Sequence, residues 1–465
     1  MRKQYLLLSL FVLAIQFAQA QFTLDGEFRP RAEFRNGFGS LIAEDVDAAF
    51  GISTRARLNA GYKTDAYKFY LSLQDVLVWG DQRQIQPWDY NNSFAVFEAW
   101  AELKLAPGFS TKLGRQVLSY DDQRILGGLG WAQQARNHDA ALFRYKTDNN
   151  LKLDIALAFN QDTAHPTGFD STGTAYVING FFTYKAMQML HLNKKWDKVG
   201  LSVLVMNNTF QDLTTTSTTS YIDANGDGVI DPLTETDAYE VTETTSSAGT
   251  TSDLQTFGTH LTFKDAGFNA ALNAYYQMGQ RQNSVDVGGA YLLGLDLGYK
   301  VSDKLTLGIG GELISGNDDD PDDTTAFFPL YGTNHKFNGF MDYFYVGNHA
   351  NSVGLIDIHA MAKIKTGPKS GLMIKALNFM GEQDLGLDSN QLGTEVDLVF
   401  TQKFKGYTMK LGYSQMFATE GMEALKGLTA DGLTPKGVQN WAWAMLIIKP
   451  KFFGGAKKPA PKMKK

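Results

Sequence analysis

Arginines recur at strand spacing near the start of the chain: Arg29, Arg31 and Arg35 in "GEFRPRAEFR" (26–35), then Arg55 and Arg57 in "STRARLNAGY" (53–62). A guanidinium presents a planar fork of donors that matches carboxylate and phosphate, so such rows read as anion recognition. Asp25, Glu27 and Glu33 share the parity of the first row and bring it close to neutral. No acid shares the parity of Arg55, Arg57 and Lys63 in the second.

Metal chemistry is the other candidate. "DANGDGVID" sets Asp223, Asn225, Asp227 and Asp231 at positions one, three, five and nine of a calcium-loop pattern, with Gly228 at the turn and the Val229 carbonyl as a further ligand. Thr234 stands where a bidentate glutamate is expected, and a bare Asx–Gly turn has the same look. The expectation is a possible calcium ion in an extracellular loop and no other cofactor. "NDDDPDDTT" (317–325) reads as a solvated acidic loop. The seven histidines lack metal-ligand spacing, and neither a nucleophile elbow nor a phosphate-binding loop is visible, so no enzyme is expected.

These side chains need elements to hold them. "FTLDGEFRPRAEFR" and "FGISTRARLNAGYK" alternate apolar and charged residues, which gives each strand one apolar wall and one charged wall. Eighteen such segments begin near residues 22, 49, 67, 93, 109, 138, 151, 178, 199, 255, 267, 290, 304, 353, 370, 391, 407 and 438. Their connections alternate between short turns (64–66, 106–108, 265–266, 302–303, 367–369, 405–406) and long loops (81–92, 121–137, 161–177, 211–254, 316–352, 418–437). An even strand number with short turns on one side and long loops on the other predicts an all-β fold, a single transmembrane antiparallel barrel with periplasmic turns and extracellular loops.

Composition agrees. "MRKQYLLLSLFVLAIQFAQA" reads as a cleaved signal peptide over 1–20, followed by a barrel over 21–453 and a basic periplasmic tail over 454–465. No later stretch is apolar enough for a spanning helix. The absence of cysteine excludes disulfides and a lipidated cysteine, and a net charge of -6 argues against nucleic acid. Tyr62, Trp100, Tyr145, Tyr299, Tyr413, Trp441 and Trp443 are candidates for interfacial girdles. An arginine on the lipid face costs ~2–4 kcal/mol near the midplane, so five there would cost on the order of 10–20, as much as a fold is worth. Arg29, Arg31, Arg35, Arg55 and Arg57 therefore point into the lumen.

Five stretches, "GEFRPRAEFR", "STRARLNAGY", "LGRQVLSYDDQRILGGLGW" (113–131), "RNHDAALFRYK" (136–146) and "FFPLYGTNHKFNGFMDYFYVG" (327–347), give the chain a resemblance to the alginate export family of outer-membrane barrels. The resemblance implies a monomeric eighteen-stranded barrel that exports an anionic polysaccharide through an arginine-rich, loop-constricted pore. It also implies that Arg115, Arg124, Arg136 and Arg144 join the strand arginines in one positive track, with Asp121 and Asp122 holding guanidiniums in place. The plainer alternative is that these Asp–Arg pairs pin a loop across the barrel wall.

Three functions compete. The favoured one is export of an alginate-like exopolysaccharide, with membrane lipid, lipopolysaccharide and periplasmic export proteins as partners. The second is a passive porin admitting small anionic sugars. An outer-membrane enzyme is disfavoured because no catalytic set can be named.

Overall fold

In the computed structural model, which describes residues 22–81, 93–161, 183–222, 239–317, 323–344, 349, 352–428 and 432–454, the alternating segments pair edge to edge until the sheet closes on itself. The first half of the wall is β1 (Phe22–Asn36), β2 (Ala49–Lys63), β3 (Tyr67–Val78), β4 (Ala95–Ala106), β5 (Phe109–Gln116), β6 (His138–Lys146), β7 (Leu151–Phe159), β8 (Ala186–Lys195) and β9 (Val199–Ile222). The second half opens with β10 (Tyr239–Asp265), β11 (Phe268–Arg281), β12 (Val285–Lys300) and β13 (Leu305–Ile314). After the two-residue β14 (Asp323–Thr324) follow β15 (Leu355–Gly367), β16 (Ser370–Met380), β17 (Gln391–Lys403), β18 (Tyr407–Ala418), β19 (Gln439–Ile448) and β20 (Lys451–Phe453).

Each wall strand pairs antiparallel with its sequence neighbours, and β19 closes the ring on β1 with Ala32 opposite Ala444. β14 lies parallel on β12 at Asp286 and Val287, and β20 continues β19 along β1, so eighteen strands make the wall. The expected strand starts agree within a few residues except at β8, β10 and β12.

One expected long loop, and one connection that the alternation places on the same side, are differently built. Most of 211–254 is strand: β9 and β10 stay paired out to Ile222 opposite Tyr239, with one register shift between Ala248 and Thr251. Only Gln282–Ser284 separates β11 from β12, on the side where long loops were expected. The leader, the calcium-like residues Asp223, Asn225, Asp227, Val229 and Asp231, and tail residues 455–465 lie outside the described residues.

The outward parity carries an apolar belt that includes Phe28, Phe34, Leu58, Leu113, Leu293, Ile309 and Ile358. Tyr145, Tyr299 and Tyr413 stand in it, exposed. Trp100, Trp441 and Trp443 do not: they are buried inside the barrel, which corrects their reading as girdle residues. Trp441 and Trp443 belong to a core inside the lumen, where Trp441, Met206, Leu254 and Phe379 of the wall pack on Leu126, Phe328, Tyr331 and Tyr343 of two inward segments, 117–137 and 326–344, whereas Trp100 stacks on Tyr70.

The two segments are stitched together. Leu126 bridges Tyr331 in parallel, the Gly127 N–H donates to Tyr331 O at 2.9 Å, and the Thr333 N–H donates to Gln123 O at 2.9 Å. Gly332 permits the approach, since a Cβ there would stand 2.2 Å from Arg124 O. Asp121, Gln123, Leu129, Ala135, Leu330, Asn338 and Asp342 all take positive φ in these segments, a conformation that costs a non-glycine residue about 1–3 kcal/mol and persists only where surrounding contacts enforce it.

Candidate permeation site

β1 and β2 place Arg29 directly opposite Arg55. Two like charges in cross-strand register repel, and the inward segment supplies the compensation. Arg29 donates to Gly130 O at 2.6 Å, to Trp131 O and Ala132 O at 3.1 Å, and from Nε and Nη2 to Gln133 Oε1 at 3.1 and 2.9 Å. Arg31 donates to Trp131 O at 3.0 Å, pairs with Glu33 at 2.9 Å, and lays its guanidinium 4.4 Å from the Trp131 ring centroid. Arg55 donates to Ala132 O and Gln133 O at 3.2 Å and pairs with Glu27. The three arginines thus form a clamp on the backbone of 130–133. Inward placement is as expected, but the donors are spent on carbonyl oxygens.

Arg124 is the second anchor. Its side chain, 1% exposed, reaches Glu312 of β13 at 2.8 and 2.6 Å, Asn334 Oδ1 at 3.0 Å and Asn338 Oδ1 at 3.0 Å. Asn338 in turn donates to Glu312 and, at 3.2 Å, to Asp357 of β15. One buried cation therefore ties both inward segments to the wall. Arg136 donates to Gly332 O at 3.2 Å, a further tie between them.

Asp121 and Asp122 hold no guanidinium. Asp121 bonds His191 at 3.0 Å and accepts from Ser202 at 2.5 Å; Asp122 accepts from Asn273 at 2.6 Å and from the Arg124 N–H at 3.2 Å. Burial alone would raise the Asp121 carboxyl, but the bonds from His191 and Ser202 outweigh it and hold the carboxyl below its ordinary range. The pinning alternative describes the geometry, with histidine, serine and asparagine as the wall partners. Burial also lowers the Lys336 ammonium, which donates to Asp122 O at 2.7 Å.

Arg115 departs from the expected track. It shares the outward parity of Leu113, and its direct cross-strand partner Asp139 receives it through two bonds of 2.8 Å. The pair sits at the loop end of β5 and β6, where an outward charge costs little. Arg144 does face the lumen, between Glu102 at 3.5 Å and Asp154 at 3.6 Å. Asp25 accepts from Asn59 at 2.8 Å. Arg35 bonds Glu33 at 3.1 Å and covers Phe38.

Arg57 is the strand arginine with a donor to spare. Its Nε donates to Gln74 Oε1 at 2.7 Å and its guanidinium stacks 3.6 Å from the Phe97 centroid, while Nη2 is buried with no partner. Gln74 donates to Gln134 O at 3.0 Å, which sets Arg57 just beneath the clamped segment. Sequence reasoning missed its lumen neighbours Lys68 and Lys112, whose ammoniums lie 4.8 and 4.0 Å from the Trp100 centroid. The inward parity of β3 and β5 was the available signal.

Cavities with charged side chains in their linings flank the clamp. Arg31, Glu33, Arg35, Trp131 and Asp342 line one of 480 Å³ toward the loop end. Tyr120, Arg144, Lys152, His191 and Lys195 line another of 520 Å³ toward the short turns. The lumen is therefore divided, with cationic side chains on both sides of the division.

His349 gives the loop end a pH dependence. Its Nε2 lies 2.8 Å from Gly354 O, Nδ1 is buried without a partner, and burial pushes the imidazole down to about 4. Neutral imidazole is favoured in the buried position, so that placement of His349 loses stability as pH falls from about 6.5 toward 4, by at most about 1.4 kcal/mol per pH unit. Acidification from pH 7 to 4.5 is expected to increase protease cleavage near His349. His349→Phe should flatten the response, and an unchanged profile in that variant would remove His349 as its cause.

No protein-family model matches the chain, and no curated protein matches it in sequence. Solved structures do match the fold. OpdO of Pseudomonas aeruginosa superposes with a TM-score of 0.56 at 11% identity, covering 94% of this chain and 100% of that one. OccK11 (OpdR) of the same organism gives 0.55 at 10% identity, with 94% and 98% covered. OccAB1 of Acinetobacter baumannii gives 0.55 at 9%, with 93% and 97% covered. The chain has the closed eighteen-stranded antiparallel β-barrel fold of these porins. The neighbours share its fold at identities too low to carry more, and none of the comparisons supports the alginate export resemblance.

Proposed function

We propose that the barrel is a passive channel for small anionic solutes, anionic sugars among them. The observation that carries this reading is the row of lumen cations that hold none of the clamped carbonyls: Arg57, then Lys112 and Arg144 down the β2–β6 wall. Charges in a narrow passage walled by protein are screened less than charges on an open surface, so this face favours anions. Cavities of 520 and 480 Å³ beside the clamped segment have room for small solutes. Export of an alginate-like polysaccharide is the second reading, and it requires both inward segments to leave the lumen.

A planar bilayer with a potassium chloride gradient tests the proposal. Wild type should show a reversal potential of chloride preference. Arg57→Glu should reduce or reverse that preference with little change in conductance, because Arg57 holds none of the clamped carbonyls. Cation preference in wild type would end the anion-channel reading.

A further inference from the structure

The periplasmic ends of the strands carry a feature beyond the row of Arg57, Lys112 and Arg144. Lysine occupies the last inward positions on several strands. Lys146 follows the parity of Leu142 and Arg144, Lys152 and Lys195 line the 520 Å³ cavity, and Lys264 follows the parity of His260 in that same lining. Across the barrel, Lys363 follows the inward parity of Asp357, and Lys403 that of Glu395 and Asp397.

The arrangement costs stability. Lys63 stands directly opposite Lys68 in the β2–β3 register, and Lys146 directly opposite Lys152 in the β6–β7 register. Like charges in such pairs are destabilising. The nearby acids do not relieve them: Glu102 and Asp154 pair with Arg144, Asp265 with Lys198 and Asp303 with Lys300. Among the described residues Lys146, Lys152, Lys195 and Lys264 make no ion pair.

Lipid headgroups do not supply the missing counter-charge. The outward residues at this level are exposed phenols, Tyr145, Tyr299 and Tyr407, so the membrane meets aromatic rings while the ammoniums turn inward. An ammonium is a point charge on a flexible stem, which suits anions of variable shape better than a guanidinium fork does. Several ammoniums around one aqueous cavity select for a molecule that carries several negative groups at once.

We propose that the periplasmic mouth is a binding site for a multivalent anion bearing several phosphate or carboxylate groups, seated in the 520 Å³ cavity against Lys152, Lys195 and Arg144 with Lys146 and Lys264 at its rim. The site goes beyond the anion-channel reading and stands without it, because equilibrium binding requires no permeation.

The test is calorimetric titration of the full barrel, in lipid nanodiscs at low salt, with inorganic tripolyphosphate and with a defined oligouronate. At least one should bind, acetate should not, and added salt should weaken the binding. Lys146→Gln/Lys152→Gln/Lys195→Gln should raise the Kd by about 10-fold or more, whereas the corresponding triple arginine variant should keep it. Lys436→Gln, at the opposite end, should leave it unchanged. If the triple glutamine variant does not reach the folded, heat-modifiable gel band, Lys152→Gln alone should still weaken binding by roughly 2–3-fold. Binding of neither polyanion, equal Kd values in wild type and the glutamine variants, or equal weakening by Lys436→Gln would overturn the site.

Discussion

Arg124→Ala is expected to release the inward segments and raise the single-channel conductance while the barrel wall stays folded. The guanidinium is the shared partner of Glu312, Asn334 and Asn338, and its side chain is 1% exposed. Removing one member of a buried pair costs about 3–5 kcal/mol, because the remaining charge stays buried without compensation. The loss falls on the closed arrangement alone. The open arrangement returns Glu312 to water, so its population should rise by two orders of magnitude or more. The wall keeps its full set of strand ladders and its closure through β1 and β19, so the heat-modifiable band should persist. Arg124→Lys keeps the charge but loses the fork, and should fall between the two. Wild-type conductance and wild-type protease resistance of 117–137 in Arg124→Ala would show that other contacts suffice to hold the segments.

Which parts of this arrangement the sequence discloses follows from the range of the interactions. Alternation is local, so the strands and the inward facing of Arg29, Arg31, Arg55 and Arg57 are legible from residues next to one another. The partner of Arg124 is Glu312, 188 positions away, and no local pattern announces it. Arg115 was within reach: it shares parity with Leu113, and a leucine in the lipid belt sets the outward face of β5. Trp441 and Trp443 alternate with Ala442 and Ala444, and only the inward segments make the bulky face the buried one. The threonine-rich run 214–219 falls inside the expected loop 211–254, yet its β-branched residues favour the strand it forms. Lumen arginines look like solute ligands in a sequence, which displays donors and hides backbone acceptors.

That last confusion can be separated by experiment, since the arginines divide into those that hold the segment and those that face the passage. Arg29 belongs to the first group, with its five side-chain hydrogen bonds all directed at residues 130–133. Arg29→Glu would set a carboxylate beside Glu27 and against the oxygens of Gly130, Trp131 and Ala132. A hydrogen bond to a charged group contributes about 1.5–3 kcal/mol, and here attraction turns into repulsion between a carboxylate and carbonyl dipoles. Arg31 and Arg55 cannot take over, because each is already engaged with its own acid and its own carbonyls. The segment should therefore detach, and conductance and ion preference should change together in Arg29→Glu. In Arg57→Glu only the preference should change. The charge difference from wild type is the same in both variants, so a purely electrostatic role for every lumen arginine predicts equal conductance. Recording both variants in one salt gradient decides between the two accounts: equal conductances would dissolve the clamp, and a larger conductance confined to Arg29→Glu would place it at residues 130–133.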